Sequence, residues 1–226
     1  MRKTCLVTGA TSGIGLPTAR ALAQAGCRVV IASRNPGKCE RVSAELREQT
    51  GNRDVGFIAA DLSLMAAVRQ AAAEFRRRYD RLDVLVNNAG ISPARRRETA
   101  EGYEQTFAPN HLGHFLLTNL LLDLLLASAP ARIINVTSGI YKQGRLDFDD
   151  LRLERGCSAM RAYANSKLAN LLFTVEPARR LESEDVAVDA MAQGLPGPAS
   201  ARMKAGFLPG VGGWPAFSVV GHGVGR

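Results

Sequence analysis

The sequence is short of aromatic residues and of cysteine, and it has no long apolar run. Aromatic side chains make up 6% of its 226 residues, so aliphatic side chains must fill most of the core. Its cysteines have no paired spacing, which predicts free thiols in a reducing, cytoplasmic compartment rather than a disulfide framework. They are Cys5, Cys27, Cys39 and Cys157. The longest apolar stretch, residues 112–127, is shorter than the ~20 residues that cross a bilayer, so we predict no membrane span.

Two arginine runs contribute to the formal net charge of +8. These runs, residues 76–78 and 95–97, could bind nucleic acid, but no interleaved aromatic residues offer a platform for stacked bases. We therefore interpret them as solvated helix ends and loops that help to attract an anionic ligand, and we predict no nucleic-acid partner. His111 and His114 lie at helical spacing. They lack both a His-Glu-x-x-His pattern and a carboxylate cluster, so we predict no metal site.

Apolar segments alternate with helical stretches through residues 1–191. This alternation predicts an α/β fold with a single Rossmann-type, doubly wound parallel sheet and helices on both faces. The length of 226 residues allows one domain and no second one. The predicted strands are residues 4–8, 27–32, 55–60, 82–86, 131–137 and 186–191. Residues 192–226 are rich in Gly and Pro and are expected to form a C-terminal segment of the same domain.

A glycine-rich turn follows the first predicted strand and opens a helical pattern. The turn reads Gly9-Ala10-Thr11-Ser12-Gly13-Ile14-Gly15, and this strand–turn–helix context is the one that a dinucleotide fingerprint needs. Glycines let the backbone approach a pyrophosphate closely, and the helix N-terminus offers free N–H groups. The spacing differs from Gly-x-Gly-x-x-Gly, and a glycine-rich loop without a ligand is the alternative interpretation.

The end of the second predicted strand bears on which dinucleotide would bind. Ser33 and Arg34 stand there, where the adenosine ribose would lie. An acidic residue would bind the ribose 2′-hydroxyl, whereas an arginine accommodates a 2′-phosphate. The pair therefore predicts NADP(H), and the alternative is a solvated arginine in a turn.

Tyr163 and Lys167 are four residues apart in a helical pattern, with Ser138 upstream. Positions i and i+4 lie on one helix face, so the phenol and the ammonium can reach the same small volume. A nearby cation favours the phenolate and lowers the tyrosine pKa. The pair is thus a candidate acid/base device for a carbonyl oxygen, although the spacing alone also fits two surface side chains.

Together these motifs resemble the short-chain dehydrogenases/reductases. The resemblance covers residues 3 to about 191 and consists of six motifs in the family's order. They are Thr8-Gly9-x-x-x-Gly13-Ile14-Gly15, Asp61-Leu62, Asn87-Asn88-Ala89-Gly90, Asn110, Ser138 and Tyr163-x-x-x-Lys167. Residues 110–118 and 166–170 look like the retinol-dehydrogenase-like branch of the family.

The resemblance implies a role for each matching residue. Tyr163 would be the general acid or base, and Lys167 would lower its pKa and bind the nicotinamide ribose. Ser138 would donate a hydrogen bond to the substrate oxygen, Asn110 would hold a water that connects Lys167 to solvent, and Asp61 would meet the adenine. The residues expected to contact the cofactor are Gly9, Thr11, Ser12, Gly13, Ile14, Gly15, Ser33, Arg34, Asp61, Leu62, Asn88, Ala89, Gly90, Tyr163 and Lys167.

The sequence departs from the family pattern at two prolines and after the last predicted strand. Pro109 predicts a kink in the helix that carries Asn110. Pro177 predicts that the helix running on from Tyr163 bends or ends early. After residue 191 the family's Pro-Gly is replaced by Gln193-Gly194, and no Thr follows. This change predicts a substrate lid that is abbreviated or poorly ordered.

Two functions of different classes fit these observations. The first is an enzyme that transfers a hydride between NADP(H) and a carbonyl or alcohol substrate, and the complete set Asn110, Ser138, Tyr163 and Lys167 favours it. The second is an NADP(H)-binding sensor or scaffold with little turnover, which the divergent C-terminal segment favours. The helix of residues 112–127 is apolar nearly all round, which predicts burial on two sides. The resemblance implies that a second copy covers one of these sides in a homodimer or homotetramer, and the alternative is a monomer.

Overall fold

The described residues, 1–193, 201–204 and 218–220, build one sheet in the computed structural model. Its strands are β1 (Thr4–Thr8), β2 (Arg28–Ser33), β3 (Val55–Ala59), β4 (Val84–Asn87), β5 (Ala131–Ser138), β6 (Val186–Gln193), β7 (Ala201–Lys204) and β8 (Ser218–Val220). The first six strands run parallel in the order β3-β2-β1-β4-β5-β6. The predicted doubly wound parallel sheet is confirmed, and each predicted strand lies within two residues of its predicted bounds.

Helices connect these strands and cover both faces of the sheet. The helices are α1 (Gly15–Gln24), α2 (Pro36–Thr50), α3 (Met65–Arg78), α4 (Gly113–Leu120), α5 (Leu122–Ala127) and α6 (Ala159–Arg180). Buried side chains of α1 and α2 pack on one face, and those of α3, α4 and α5 pack on the other. Asn35 begins α2, because its side chain accepts a hydrogen bond from the backbone N–H of Lys38 at 2.9 Å.

The central strands β1 and β2 are buried on both faces because the successive side chains at their centres are apolar. Leu6 and Val30 face α3 and α4, whereas the next residues along each strand, Val7 and Ile31, face α1 and α2. Side chains of a strand alternate between its two faces. A continuous apolar run therefore serves both layers of helices, as expected for a parallel sheet.

The strand order reverses direction between β1 and β4. From β1 the chain moves outward to β2 and β3, and it then returns to the other side of β1 to form β4, β5 and β6. Ligands of open α/β sheets bind in the crevice at such a reversal, outside the carboxyl ends of the strands. The fold therefore predicts a ligand site among the residues that follow β1 and β4.

Both prolines singled out by the sequence lie in helical segments. The irregularity predicted at Pro109 is a π-helical turn, Ala108–Leu112, in which the N–H of Gly113 bonds to the carbonyl of Ala108. Pro177 does not stop α6, which continues to Arg180. A proline in a helix removes one backbone hydrogen bond, and the contacts of α6 with β5 and β6 maintain the helix across that gap.

The predicted apolar helix of residues 112–127 is divided at Leu121 into α4 and α5. Gly113, His114, Leu117 and Thr118 form its buried side, while Phe115 remains 46% exposed. Among the helices of the described residues, none combines the length and the apolar character that crossing a membrane requires. All four cysteines lie in the described part of the chain and carry free thiols, as predicted.

The sheet continues past β6 through β7 and β8, which were not predicted. Both pair antiparallel, β7 with β6 and β8 with β7. The expected abbreviated lid, residues 192–226, falls mostly on residues 194–200, 205–217 and 221–226, which lie outside the described residues. The lid and the boundary at residue 191 therefore stay predictions.

Candidate active site

A cavity of about 540 Å³ lies at the carboxyl ends of β1, β2 and β4. Every residue predicted to contact the cofactor lines it, except Gly15. The glycine turn, the end of β2 and the loop after β4 contribute to the lining together with Tyr163 and Lys167 of α6. Residues from seven separate segments of the described chain therefore share one volume, at the strand reversal where the fold places ligands.

The glycine turn is packed too tightly for side chains at two of its positions. Gly9 has a φ of +66°, and a Cβ there would lie 2.7 Å from the Cα of Ala89. A Cβ on Gly15 would lie 2.5 Å from Nδ2 of Asn88. Because carbon atoms do not approach to these distances without displacing their neighbours, the glycines allow the turn to lie directly against the loop after β4. Gly15 is absent from the cavity lining because it faces that loop.

The start of α1 has the properties of an anion site. Within the described part of the chain no side chain caps this end, and its first turn has no acidic residue. The first N–H groups of a helix have no partner within the helix, and together with the helix dipole they favour a negative charge. Ser12, Gly13 and Ile14, which precede α1, all line the cavity.

The end of β2 places a hydroxyl pair and a cation at the cavity. The hydroxyls of Thr11 and Ser33 are 3.0 Å apart and hydrogen-bonded, so this bond joins the glycine turn to β2. Arg34 is exposed and lines the cavity beside them. The position predicted to distinguish a 2′-phosphate from a 2′-hydroxyl is therefore an arginine at the edge of the cavity.

Two predicted cofactor-binding side chains are engaged within the protein. Asn88 donates from Nδ2 to the carbonyl of Thr8 at 2.8 Å, so its side chain holds the glycine turn. Oδ1 of Asp61 accepts hydrogen bonds from the N–H and the hydroxyl of Ser63, at 2.9 and 2.7 Å. Both residues still line the cavity, where Asp61 has its second carboxylate oxygen to offer.

Tyr163 and Ser138 come together from α6 and the end of β5. Burial raises the pKa of Tyr163, and a hydrogen bond with the Ser138 side chain works in the opposite direction. The prediction that Lys167 lowers this pKa is therefore not met in the structure. The physical reason is that desolvation disfavours the phenolate, while the Lys167 ammonium lies 5.4 Å from the centre of the phenol ring.

Lys167 is buried, and its ammonium is directed at the backbone. Nζ donates a hydrogen bond to the carbonyl of Val136 at 3.0 Å. Burial lowers the pKa of Lys167 from 10.5 to about 8, because the charged form loses hydration. Lys167 nevertheless belongs to the cavity lining.

Asn110 is fully buried and does not line the cavity described here. Its side chain donates to the carbonyl of Ile91 at 3.0 Å and accepts from the N–H of Ile91 at 2.8 Å. It also donates to the hydroxyl of Ser166 at 3.1 Å. Asn110 thus anchors the loop after β4 to α6, and its expected water remains a prediction.

Eight residues of the cavity lining were not predicted to belong to the site, and four of them lie between residues 91 and 109. Ile91, Ser92, Gln105 and Pro109 border the cavity. Ile91 and Ser92 directly follow the Asn-Asn-Ala-Gly motif, so their position in the sequence could have identified them. Gln105 has no such signal, and its Oε1 is buried without a hydrogen-bond partner among the described residues. An unpaired buried acceptor at a cavity wall suits a donor group on a bound ligand.

The other candidate sites of the sequence are explained by local contacts. Arg76 forms two hydrogen bonds to the carboxylate of Asp123, at 2.5 and 2.8 Å, and Arg96 pairs with Glu98 at 2.9 Å. In the described portion of the chain no group of three or more His, Cys, Asp or Glu side chains could hold a metal ion. The two histidines are bonded to neighbouring polar groups instead.

Known proteins resemble this chain in sequence and in structure. The sequence profile described as short chain dehydrogenase matches residues 3–206. Retinol dehydrogenase 13 of Homo sapiens is 45% identical over 194 residues, an alignment that covers 85% of this chain and 59% of that protein. The chain therefore spans less than two thirds of the length of this relative.

Solved structures extend the resemblance to the fold. The crystal structure of an uncharacterised protein from Mycobacterium paratuberculosis superposes with a TM-score of 0.75 at 32% identity, covering 97% of this chain and 85% of that one. The RhlG/NADP active-site complex of Pseudomonas aeruginosa superposes with a TM-score of 0.69 at 33% identity, covering 84% and 71%.

Proposed function

The chain belongs to the short-chain dehydrogenase family, and from this premise we propose that it is an NADP(H)-dependent oxidoreductase. It would transfer a hydride between the nicotinamide and the carbon of a carbonyl or alcohol substrate. One observation carries the proposal: the same cavity is lined by the glycine turn and Arg34 and by Tyr163 and Lys167. A phosphate cradle and an acid/base pair thus face one ligand.

The cofactor side of the cavity fits a phosphorylated dinucleotide. The glycine turn and the uncapped start of α1 would hold the pyrophosphate. Arg34 with Ser33 would bind the 2′-phosphate of NADP(H), and Lys167 would bind the nicotinamide ribose. The RhlG complex with NADP, at 33% identity, supports this choice of cofactor.

The chemistry follows from the residues at the other side of the cavity. When bound, NADP(H) supplies or accepts the hydride. Tyr163 would give a proton to the substrate oxygen in reduction and remove it in oxidation. Burial raises the pKa of Tyr163 and keeps the phenol protonated at neutral pH, which is the form that reduction needs. The Ser138 hydroxyl, bonded to the phenol, would donate to the same oxygen.

We further propose that α4 and α6 join two copies of the chain, in a homodimer or within a homotetramer. Phe115 on α4 and Leu172 on α6 are 46% and 39% exposed. Phe115 packs against Phe173, with ring centres 5.1 Å apart. These apolar side chains of two neighbouring helices form a surface that a second copy would cover.

The function is tested in two steps on the purified protein. Calorimetric titration with NADPH and NADH should show binding of NADPH and much weaker binding of NADH. A panel of aldehydes and ketones, which includes retinal because retinol dehydrogenase 13 is a relative, should then reveal NADPH-dependent reduction. Binding of NADPH without turnover of any carbonyl would favour the sensor or scaffold, and binding of neither nucleotide would refute both functions.

A further inference from the structure

His114 bonds to two residues that are each next in the chain to a residue of the cavity lining. It lies on α4, is only 1% exposed, and both of its ring nitrogens have partners. Nε2 is 2.9 Å from the hydroxyl oxygen of Thr8, the residue that precedes the glycine turn. Nδ1 is 3.0 Å from the carbonyl oxygen of Asn110 in the π-helical turn. One buried imidazole therefore connects the cofactor side of the site to the catalytic side.

The partners of His114 determine which of its nitrogens carries the proton. A carbonyl oxygen can only accept, so Nδ1 must donate to Asn110. Burial lowers the pKa of His114 to about 3, which leaves Nε2 unprotonated at neutral pH. Nε2 must then accept from the hydroxyl of Thr8, whose other close acceptor, the carbonyl of Val86, is farther away at 3.2 Å.

The hydroxyl oxygen of Thr8 extends the same chain of hydrogen bonds to the loop after β4. It accepts from the N–H groups of Asn88 and Ala89 at 2.9 and 3.0 Å. The bonds therefore run in one direction, from these N–H groups through Thr8 and His114 to the carbonyl of Asn110. A second proton on His114 would oppose an oxygen that already receives two N–H donors.

Asn170 links the far end of this chain to Lys167. Its Nδ2 donates to the carbonyl of Asn110 at 2.9 Å, and it lies 3.4 Å from the carbonyl of Val136. The carbonyl of Val136 also accepts a hydrogen bond from the ammonium of Lys167. A displacement of the Asn110 carbonyl would therefore also be transmitted, through Asn170 and the carbonyl of Val136, to the ammonium of Lys167.

We propose that His114 is a positioning residue that holds the glycine turn and the Asn110 turn in register, so that cofactor and acid/base pair meet correctly. A buried histidine that merely fills the core also needs a partner for each ring nitrogen, but those partners can belong to any part of the protein. Here both partners belong to segments that line or support the same cavity. The kinetic part of the test depends on the proposed oxidoreductase function, while the spectroscopic part does not.

Two substitutions separate the two ends of His114. In H114N the amide nitrogen takes the place of Nδ1, so the bond to Asn110 is retained and the bond to Thr8 is lost. In H114Q the side-chain amide reaches the place of Nε2, so the bond to Thr8 is retained and the bond to Asn110 is lost. We use N119A, an exposed change on the same helix, as the control, and we record the melting temperature of each variant.

The expected results dissociate binding from turnover. H114Q should keep the NADPH Kd within about threefold and lose on the order of 100-fold in kcat, because small displacements of catalytic groups have effects of this size. H114N should show the reverse order, with the larger loss in NADPH affinity. If both variants lose binding and turnover together, in proportion to their melting temperatures, His114 is only structural and the inference fails.

The spectroscopic part uses the protein without cofactor or substrate. In ¹⁵N spectra of the histidine rings, His114 should show a proton on Nδ1 alone, unchanged between pH 5 and 9. A proton on Nε2, or titration within this range, would overturn the inference even if the enzyme is active. Absence of turnover in the unaltered protein with the expected tautomer would instead count against the oxidoreductase function and leave the bonded chain established.

Discussion

The glycine turn and the Tyr163–Lys167 side of the cavity are built by opposite means. At the turn, backbone atoms pack so closely that a Cβ on Gly15 would lie 2.5 Å from its neighbours. At the other side, buried side chains such as Asn110 and Lys167 form the site, and their polar atoms are paired. Added atoms should therefore damage the first region and lost atoms the second. The first kind of damage should appear in cofactor affinity, and the second in turnover.

Removal of one atom from the catalytic side should have the largest effect. In Y163F the phenol oxygen is lost, so no general acid faces the substrate and kcat should fall on the order of 1,000-fold. NADPH affinity should change little, because the glycine turn is untouched. Steady-state kinetics and calorimetric titration measure the two effects. Retention of more than a tenth of the activity would show that Tyr163 is not the proton donor.

Addition of one carbon to the cofactor side should produce the complementary result. In G15A the new methyl group would displace Asn88 or the carbonyl of Gly9, both 2.5 Å from the Cβ position. NADPH affinity should fall on the order of 100-fold, a loss of about 3 kcal/mol. G37A is the matched control, since its Cβ would make only an ordinary contact at 3.6 Å. Equal affinities for the two variants would contradict the steric account of the turn.

The two regions also differ in how much of them the sequence could predict. A glycine motif between a strand and a helix has a local physical cause, so the turn, Arg34 and the six parallel strands were predictable. Spacing likewise brought Tyr163 and Lys167 together. The direction of the Tyr163 pKa shift was not predictable, because it depends on burial and on where the ammonium of Lys167 points. The burial of the phenol and the direction of the ammonium are set by how the whole protein packs, and the four-residue spacing of Tyr163 and Lys167 does not determine them.

Contacts between distant segments account for the rest. His114 is bonded to Thr8, 106 residues away, and nothing in a local pattern distinguishes it from a core histidine. Gln105 lines the cavity without a motif, and Pro177 lies inside a helix that its packing maintains. β7 and β8 come from a Gly- and Pro-rich segment with little periodicity. Each of these features is set by tertiary contacts that override local preference.

Titration of Lys167 sharpens the contrast between the two regions. On the catalytic side a charged ammonium is buried at a cost in free energy, whereas the glycine turn is built from uncharged backbone. The folded chain releases the Lys167 proton near pH 8, whereas the unfolded chain holds it to about pH 10.5. More protons are then bound to the unfolded state in this window, so stability should rise from pH 8 to pH 10.5 relative to K167M. At about 1.4 kcal/mol per pKa unit, the gain is about 3 kcal/mol. Urea unfolding of both proteins across the window measures it, and a flat difference would show that Lys167 titrates normally.

Arg34 is the exception on the cofactor side of the cavity. There a side chain, and not the closely packed backbone, is expected to distinguish NADPH from NADH. Its exposed guanidinium should contribute one charge-assisted contact to the 2′-phosphate. R34A should therefore weaken NADPH binding by about 10-fold, at the lower end of the range for such bonds, and leave NADH binding unchanged. R41A removes an equal charge from α2, where Arg41 pairs with Glu45, and it should affect neither nucleotide. If R34A and R41A weaken NADPH binding equally, Arg34 acts only through the overall positive field, and the preference for NADP(H) must come from the turn itself.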